Sequence, residues 1–222
     1  MNVDIEALRL GLSNVYWLSG MTTSGKSTTA KILAEHHGLT VQARDDYIAS
    51  HWERITPAEF PAMCYMKESL DGSEQHWQEF VEETTAESVE RLWKVAEEDF
   101  RLTIEDLWTS LSEICDSKRP LLIEGARFLP EGLTPLLSDR RRAVWLAPSR
   151  EVFEKRLQTS YKETWERFTD PSDGRRRLRD LFYSASEKVA ESARDLGIAV
   201  IRTEVVDTPE IIATRVARVY GL

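Results

Sequence analysis

Residues 20–27 have the types and the spacing of a loop that binds phosphate groups. The segment reads Gly-Met-Thr-Thr-Ser-Gly-Lys-Ser, so a glycine is followed by four residues and then by Gly-Lys-Ser. Glycines let the main chain turn its amide N–H groups inward where a side chain would block a polyphosphate. In such a loop Lys26 would contact the β- and γ-phosphates, and the Ser27 hydroxyl would be a ligand of Mg²⁺. The residues expected to hold a nucleoside triphosphate are Gly20, Thr22, Thr23, Ser24, Gly25, Lys26, Ser27 and Thr28.

Acidic residues follow two apolar segments elsewhere in the chain. Asp45 and Asp46 come soon after the alternating segment 39–43, and Glu124 ends the apolar run 120–123. Ligands of open α/β sheets bind outside the carboxyl ends of the strands, so these acids are expected beside the phosphate-binding loop. A carboxylate there can orient the water shell of Mg²⁺, and Glu124 is the candidate. Structural roles remain open, because the aspartates could cap a helix and Glu124 could pair with a lysine or arginine.

Four arginines crowd together late in the chain, at 175, 176, 177 and 179. They follow an apparent turn at 170–174 inside a polar stretch, 161–180, which is typical of a mobile lid. Guanidinium groups neutralise phosphate charge as it redistributes during phosphoryl transfer, so we expect at least one of them to act there. Arg175 and Arg179 are the catalytic candidates. The alternative is a solvated basic start of a helix.

Five apolar segments begin near residues 15, 39, 120, 143 and 198, and helical patterns follow them. This alternation predicts an α/β fold with three layers: a five-stranded, mostly parallel sheet with helices on both faces. The first strand, 15–19, would lead into the phosphate-binding loop, and the helix 27–37 would follow it. The 222 residues are expected to form a single domain.

Residues 51–116 carry no strand signal and are expected to form a helical substrate-binding insertion. One helix is predicted over 74–98, and a second is predicted to open at Thr103 with a variant capping box. Trp77, Trp93 and Trp108 could stack on a planar substrate or belong to the core. The acidic residues predicted on the outer helix faces could attract a cationic substrate or be simply solvated. They are Glu82, Glu83, Glu87, Glu90, Glu97, Glu98, Asp99, Glu105 and Asp106.

Composition narrows the class of partner. The formal net charge is −9, which argues against a protein that holds nucleic acid by its phosphates. No apolar run approaches the roughly 20 residues needed to span a bilayer, and Asp4 and Glu6 lie where a signal peptide would be basic and then apolar. We therefore expect a cytoplasmic protein without a membrane partner. The oligomeric state stays open, a homo-oligomer included.

Together these residues resemble a known family. The run 17–28, the Asp-Asp pair after the second strand and Glu-Gly after the third resemble the small P-loop kinases of the nucleoside and nucleoside-monophosphate kinase superfamily. The loop and the Asp-Asp pair are similar to those of uridine and nicotinamide riboside kinases. The position of Asp45 is similar to that of the carboxylate in chloramphenicol phosphotransferase. The resemblance covers about 15–50 and 120–222 and leaves the insertion unmatched.

The resemblance implies transfer of the γ-phosphoryl group of ATP to a hydroxyl of a small molecule. It implies that Lys26 is catalytic, that Asp45 accepts the hydroxyl proton, and that Asp46 supports Mg²⁺ or holds the substrate. Glu124 would close the metal and substrate site, and Arg127 would hold the substrate or lie at the surface. The Glu-Gly segment continues Ala-Arg-Phe-Leu-Pro and lacks the run typical of adenylate kinases, which weakens a nucleoside-monophosphate kinase reading.

Other functions compete with this one. The first is a regulatory nucleotide-dependent switch. Asparagine occurs only at 2 and 14, so the Asn-Lys-x-Asp motif by which GTPases bind guanine is excluded. A polynucleotide end kinase or RNA-modifying transferase is disfavoured by the acidic charge, but a local basic cleft would permit it. For a small-molecule kinase, a nucleoside, a sugar-like metabolite and an antibiotic all remain open as acceptors.

Overall fold

The computed structural model describes residues 3–222, which form an α/β fold around one five-stranded sheet. The strands lie where the apolar segments predict them, within one or two residues at each end. They are β1 Val15–Gly20, β2 Thr40–Ala43, β3 Leu121–Gly125, β4 Ala143–Pro148 and β5 Ala199–Thr203.

Helices make up most of the remainder. In chain order they are α1 Ile5–Gly11, α2 Lys26–His37, α3 Ile48–Arg54, α4 Pro61–Leu70, α5 Glu74–Glu82, α6 Thr85–Thr109, α7 Leu111–Asp116, α8 Pro130–Leu133, α9 Arg150–Leu157, α10 Lys162–Trp165, α11 Pro171–Asp195 and α12 Pro209–Tyr220. Short 3₁₀ turns occupy Arg44–Tyr47, Thr134–Leu136 and Arg140–Arg142. Among the described residues, no helix is both long and apolar enough to cross a membrane.

The sheet is entirely parallel, in the order β2-β3-β1-β4-β5. The loop 20–27, which is predicted from its residues to bind phosphate, leaves the central strand β1. Leu18 of β1 is in register with Glu124 of β3. On the far side of β3, Ala43 of β2 is also in register with Glu124. Because all these strands end at the same edge, Glu124 and the two aspartates after β2 must lie beside the loop.

The three inner strands β1, β3 and β4 are buried on both faces, which makes the three predicted layers. Val15 and Trp17 of β1 point into a core covered by α1, α6, α7, α8 and α11. The alternate residues Tyr16 and Leu18 point into a second core, covered by α2 and α12. This accounts for the near-continuous apolar strand sequences, which are typical of a parallel sheet. The predicted fold class is confirmed.

The helical insertion differs from the prediction in where its helices break. The single helix expected over 74–98 is two, because the chain turns at Glu83 and Thr84. Thr84 and Glu87 form a reciprocal capping box that starts α6, whereas Thr103 lies buried inside that helix. The Arg177 guanidinium of α11 donates to the carbonyls of Val81 and Glu83 and so holds the turn in place.

The residues read as a turn at 170–174 instead begin α11. The Asp170 side chain accepts from the Ser172 amide at 2.8 Å, and Pro171 occupies the first helical position. Gly174 is needed there for space, since a Cβ would meet the Phe168 ring at 2.5 Å. The glycine read as a turn signal is therefore a packing residue.

Several acids expected on the outer helix faces point inward instead. Asp99 is buried against His51, and Asp106 binds His51, Arg44 and Arg54. Glu98 accepts the main-chain amides of Ala62 and Met63 at the start of α4. Glu83 pairs with Arg91, and Glu105 pairs with Arg54. Only part of the predicted acidic surface is therefore a solvated face.

Candidate functional site

The loop between β1 and α2 has a main chain that only glycine permits at two points. Gly20 has φ +154°, and a Cβ there would lie 2.7 Å from the Leu146 carbonyl oxygen. Gly25 has the left-handed φ of +93° and is the N-cap of α2, with no side chain capping the helix. The amides of the first turn of α2 therefore lack a side-chain acceptor. An uncapped helix N-terminus at a glycine-rich loop is suited to bind an anion.

Lys26 supplies a positive charge to this loop. Its side chain is buried, with the residue 5% exposed, and its only ion pair among the described residues is with Asp45 Oδ2, at 3.5 Å from Nζ. Because this ion pair is long, the ammonium group can bind a further anionic oxygen. A polyphosphate in the loop would provide one.

Arg156 of α9 also contacts the loop, and the sequence argument did not identify it as a site residue. Its guanidinium donates to the Thr23 carbonyl, and a Cβ on Gly25 would lie 3.3 Å from Nη1. Burial lowers the pKa of Arg156, and within residues 3–222 it has no carboxylate partner. Only one feature of the sequence points to this contact. Arg156 lies on the helix that follows β4, and the carboxyl end of β4 lies beside β1.

The loop is tied to the neighbouring segment by a second contact. The Thr22 hydroxyl is hydrogen-bonded to the Tyr161 hydroxyl. Tyr161 has φ +61°, in the left-handed region that non-glycine residues rarely adopt, immediately before α10. Both contacts place residues 156–161 against the loop.

Asp45 lies opposite Lys26 and faces the site. Its Oδ1 accepts from the Ala126 main-chain amide at 3.2 Å, so the side chain reaches across to the end of β3. The 3₁₀ turn Arg44–Tyr47 has no side-chain cap, which removes the helix-capping alternative for this turn. Asp46 is exposed next to it.

Glu124 is the buried carboxylate of the site, with only 3% of the residue exposed. Burial raises the pKa of Glu124, and the charges of Asp45 and Asp46 add to this effect. A hydrogen bond from Ser27 and the charge of Lys26 lower the pKa and offset part of the rise. Oε2 has no hydrogen-bond partner among the described groups. Glu124 is therefore next to Ser27, the arrangement expected for two groups that share a cation.

The donor set fits Mg²⁺ bound largely through water and phosphate. No group of three or more His, Cys, Asp or Glu side chains within residues 3–222 forms a cage for a metal. Mg²⁺ keeps several waters and takes only one or two carboxylates when it binds with a polyphosphate. The Ser27 hydroxyl and the unpaired oxygen of Glu124 meet that need, with Asp46 close enough to influence Glu124.

The lid arginines are placed differently from the prediction. Arg179 binds Asp180 through Nε at 2.9 Å and lies 3.7 Å from Glu154, while Arg175 lies over the Trp165 ring. With Arg176 these two side chains line a small cavity of about 180 Å³. In the part of the chain that the structure describes, their contacts do not include the phosphate-binding loop. Arg156 makes the contact that was expected of them.

A buried charge network joins the site to the insertion. His51, which is 1% exposed, lies between Asp99 (2.6 Å from Nδ1) and Asp106 (2.8 Å from Nε2). Asp106 also accepts from Arg44, at 2.7 Å, the residue directly before Asp45. Arg127 Nη1 lies 4.0 Å from Asp99 Oδ2, at the other end of the network. The network thus fixes the chain on both sides of the Asp45–Ala126 contact.

His51 makes stability depend on pH. Burial opposes the charged imidazolium, but the hydrogen bonds that it donates to Asp99 and Asp106, together with their charges, outweigh burial, so the pKa of His51 is raised. A histidine whose pKa is raised by folding contributes its full stabilisation below the pKa of the unfolded state, about 6.5. That contribution is lost as pH rises through the pKa of the folded state. We expect the free energy of unfolding to fall above about pH 6.5, by up to about 1.4 kcal/mol per pH unit.

Chemical denaturation from pH 6 to 9 measures this effect, with two variants as controls. His51→Gln should flatten the decline, whereas His36→Gln, at an exposed position of α2, should retain it. An unchanged decline in His51→Gln would assign the titration to another group.

No protein-family model matches this sequence, and no curated protein matches it, so the function is inferred from the motif residues and the geometry described above.

Proposed function

We propose that this protein is an ATP-dependent kinase that transfers the γ-phosphoryl group to a hydroxyl of a small molecule. One observation carries the proposal. The loop 20–27, with its two glycines and the uncapped start of α2, lies in the same cleft as the carboxylates of Asp45 and Glu124. Phosphoryl transfer needs little covalent chemistry from the protein, because catalysis is mainly positioning and charge stabilisation. This cleft offers groups for both tasks.

The nucleotide side of the site is positively charged. The amides of the loop and of the first turn of α2 would bind the β- and γ-phosphates together with Lys26. Arg156 is suited to neutralise charge on the γ-phosphoryl group as it leaves, because its guanidinium is already at Thr23 and Gly25. Ser27, Glu124 and Asp46 would hold Mg²⁺, which supplies electrostatic stabilisation to the phosphate oxygens.

Asp45 is the best-placed proton acceptor. The Ala126 amide and Lys26 fix its carboxylate at the mouth of the cleft. In this position the carboxylate can take the proton of an acceptor hydroxyl as the new O–P bond forms. Glu124 is buried beside Ser27 with Oε2 unpaired, which suits a role next to a cation.

A cavity for an acceptor lies next to the loop. It has a volume of about 520 Å³ and is lined by Met21 and Thr22 of the loop, by Ala126 and Arg127 after β3, and by the insertion and α11. This volume lies in the usual range for small-molecule sites. A regulatory NTPase, the second candidate, needs a nucleotide site but no such cavity beside the γ-phosphate position. The cavity therefore favours transfer to a small acceptor.

Two measurements test the proposal. Calorimetry with ATP and Mg²⁺ should show binding, and labelled γ-phosphate should move to one member of a panel of nucleosides, sugars and hydroxylated antibiotics. Absence of ATP binding would overturn the proposal. Slow hydrolysis without transfer to any acceptor, combined with nucleotide-dependent binding of a protein partner, would favour the regulatory NTPase.

Arg156 provides a specific prediction. Arg156→Gln removes the guanidinium that contacts the loop, and we expect turnover to fall by about 10²-fold or more, with a smaller loss of ATP affinity. Turnover and calorimetric affinity measure the two effects. Lys155→Gln, the exposed neighbour on α9, is the matched control and should change neither. Near-normal turnover in Arg156→Gln, together with a loss of turnover in Arg175→Gln or Arg179→Gln, would show that a lid arginine neutralises the γ-phosphoryl charge instead.

A further inference from the structure

The cavity beside the phosphate-binding loop carries information about the acceptor, because its wall has an unusual composition. Most of the side chains around it are apolar or aromatic, and they come from the insertion, the end of β3 and α11. They include Trp77, Phe80, Leu92, Leu129 and Phe182. A polyhydroxylated ligand would lose its hydrogen bonds to water on entering, and this wall would replace few of them.

Aromatic rings in this wall are partly held in place by one another. Trp77 lies 4.9 Å from the ring of Phe168 and 5.7 Å from that of Phe80, so it is fixed at an angle to both. Trp93 also lines the cavity, while Trp108 packs into the core on one face of the sheet. Of the three tryptophans that could stack on a planar ligand, two are therefore in position to contact one.

The charges in the wall are mostly positive. Arg91, Arg127 and Arg167 line the cavity, and Glu163 is the only carboxylate in its lining within the described chain. Arg91 is neutralised by Glu83, and Arg167 is exposed over the Trp77 ring. None of the nine acids predicted on the insertion lines the cavity. The composition of the wall does not support a cationic substrate drawn in by an acidic field.

Of the three arginines in the wall, Arg127 has a long ion pair, and in the described chain its guanidinium does not lie over an aromatic ring of the wall. Its side chain is 24% exposed, and its one ion pair within residues 3–222, with Asp99, has an N–O distance of 4.0 Å, too long for a hydrogen bond. Asp99 is also shared with His51. The positive charge of Arg127 is therefore only weakly compensated where it lines the cavity, one residue from the amide that orients Asp45.

We infer that the acceptor is an anionic, ring-bearing hydroxy compound: its apolar ring system lies among Trp77, Phe80 and Leu92, its carboxylate or comparable anion pairs with Arg127, and its hydroxyl faces Asp45. This inference rests on the proposed kinase function and names its substrate class. Sugars and amine-bearing compounds are then poor acceptors, because the first lack an apolar body and the second place a cation beside Arg127.

Binding without nucleotide tests the inference separately from catalysis. Four probes are compared. Three share a hydroxymethylnaphthalene body and differ only in a second substituent: a carboxylate in hydroxymethyl-naphthoate, hydrogen in neutral naphthalenemethanol, and an aminomethyl group in aminomethyl-naphthalenemethanol. The fourth is glucuronate, an anion without an apolar ring. Calorimetry should show that the naphthoate binds about tenfold or more tightly than the neutral alcohol, as one charge-assisted contact allows. The amine should bind more weakly than the neutral alcohol, and glucuronate should not bind measurably.

Variants of Arg127 test the position of the anion. Arg127→Gln should remove the preference for the naphthoate over the neutral alcohol and leave the affinity of the alcohol nearly unchanged. Arg127→Lys should keep most of the preference, and Arg218→Gln, an exposed arginine of α12, should keep all of it. Circular dichroism and the melting temperature show whether each variant is folded. Equal binding of all four probes, tighter binding of the amine or glucuronate, or an unchanged preference in folded Arg127→Gln would overturn the inference.

The outcome also separates this inference from the proposed function. ATP binding with transfer to sugars or amines, but no binding of the naphthoate, would overturn the substrate class and leave the kinase proposal standing. Naphthoate binding without any ATP binding would overturn the kinase function, and the cavity would remain a binding site for ring-bearing anions.

Discussion

Replacement of Lys26 by methionine should abolish phosphoryl transfer, with a loss of about 10³-fold or more in turnover. Methionine approximates the length of the lysine stem and removes the charge, so the buried space stays filled. The variant loses the cation that would neutralise the β- and γ-phosphates in the ground state and the transition state. A loss of this size corresponds to roughly 4 kcal/mol of transition-state stabilisation.

The control for Lys26→Met separates a lost charge from a lost fold. Removing a buried ammonium whose ion pair is long should leave the melting temperature without ATP equal or higher. ATP and Mg²⁺ should raise the melting temperature of the wild type and have much less effect on the variant, because a ligand stabilises the folded protein more when it binds more tightly. Lys31→Met, at an exposed site on α2, should behave as the wild type. Normal turnover in Lys26→Met would remove this residue from the mechanism.

Replacement of Asp45 by asparagine is expected to lower turnover by about 10²-fold or more and to leave ATP affinity nearly intact. Asparagine can still accept from the Ala126 amide through its side-chain oxygen, so the turn should keep its shape. It cannot take a proton from the acceptor hydroxyl. Steady-state kinetics and calorimetry measure the two quantities, and the phosphate acceptor found in the transfer screen serves as substrate.

Asp46→Asn is the matched comparison because the two aspartates are adjacent in the same 3₁₀ turn. If Asp45 is the base, Asp46→Asn should raise the Mg²⁺ concentration needed for half-maximal turnover, or raise KM more than it lowers turnover. A larger loss of turnover in Asp46→Asn than in Asp45→Asn would exchange the two roles.

The sheet and the phosphate-binding loop were predictable because their signals are local. Strand β1, the glycines of the loop and helix α2 follow one another without interruption, and their backbone requirements are met by residue types alone. Glu124 and Asp45 were predictable for a different reason: parallel strands end at one edge, so an acid after each strand must reach the same cleft.

Other parts depend on contacts between distant residues and could not be read from the sequence. Arg156 reaches the loop only because β4 lies beside β1. The four later arginines looked more suggestive, yet three of them are held by nearby partners and Arg177 is held by carbonyls of the insertion. The acids of α6 appeared to form an outer face, yet Asp99 and Asp106 point inward to His51, 48 and 55 residues away along the chain. Charge alone does not indicate which face of a helix is covered.

Under the proposed function, the hydroxyl pair between Thr22 and Tyr161 would make the nucleotide site and the acceptor cavity energetically dependent on each other. Both residues also line the cavity, so a nucleotide that draws the Thr22 hydroxyl toward its own oxygens would break the hydrogen bond to Tyr161 at the cavity wall. Thermodynamic linkage then requires reciprocity: whatever factor the nucleotide applies to the affinity for the acceptor, the acceptor applies to the affinity for the nucleotide. In Tyr161→Phe, which keeps the ring and removes the hydroxyl, that mutual factor should approach one.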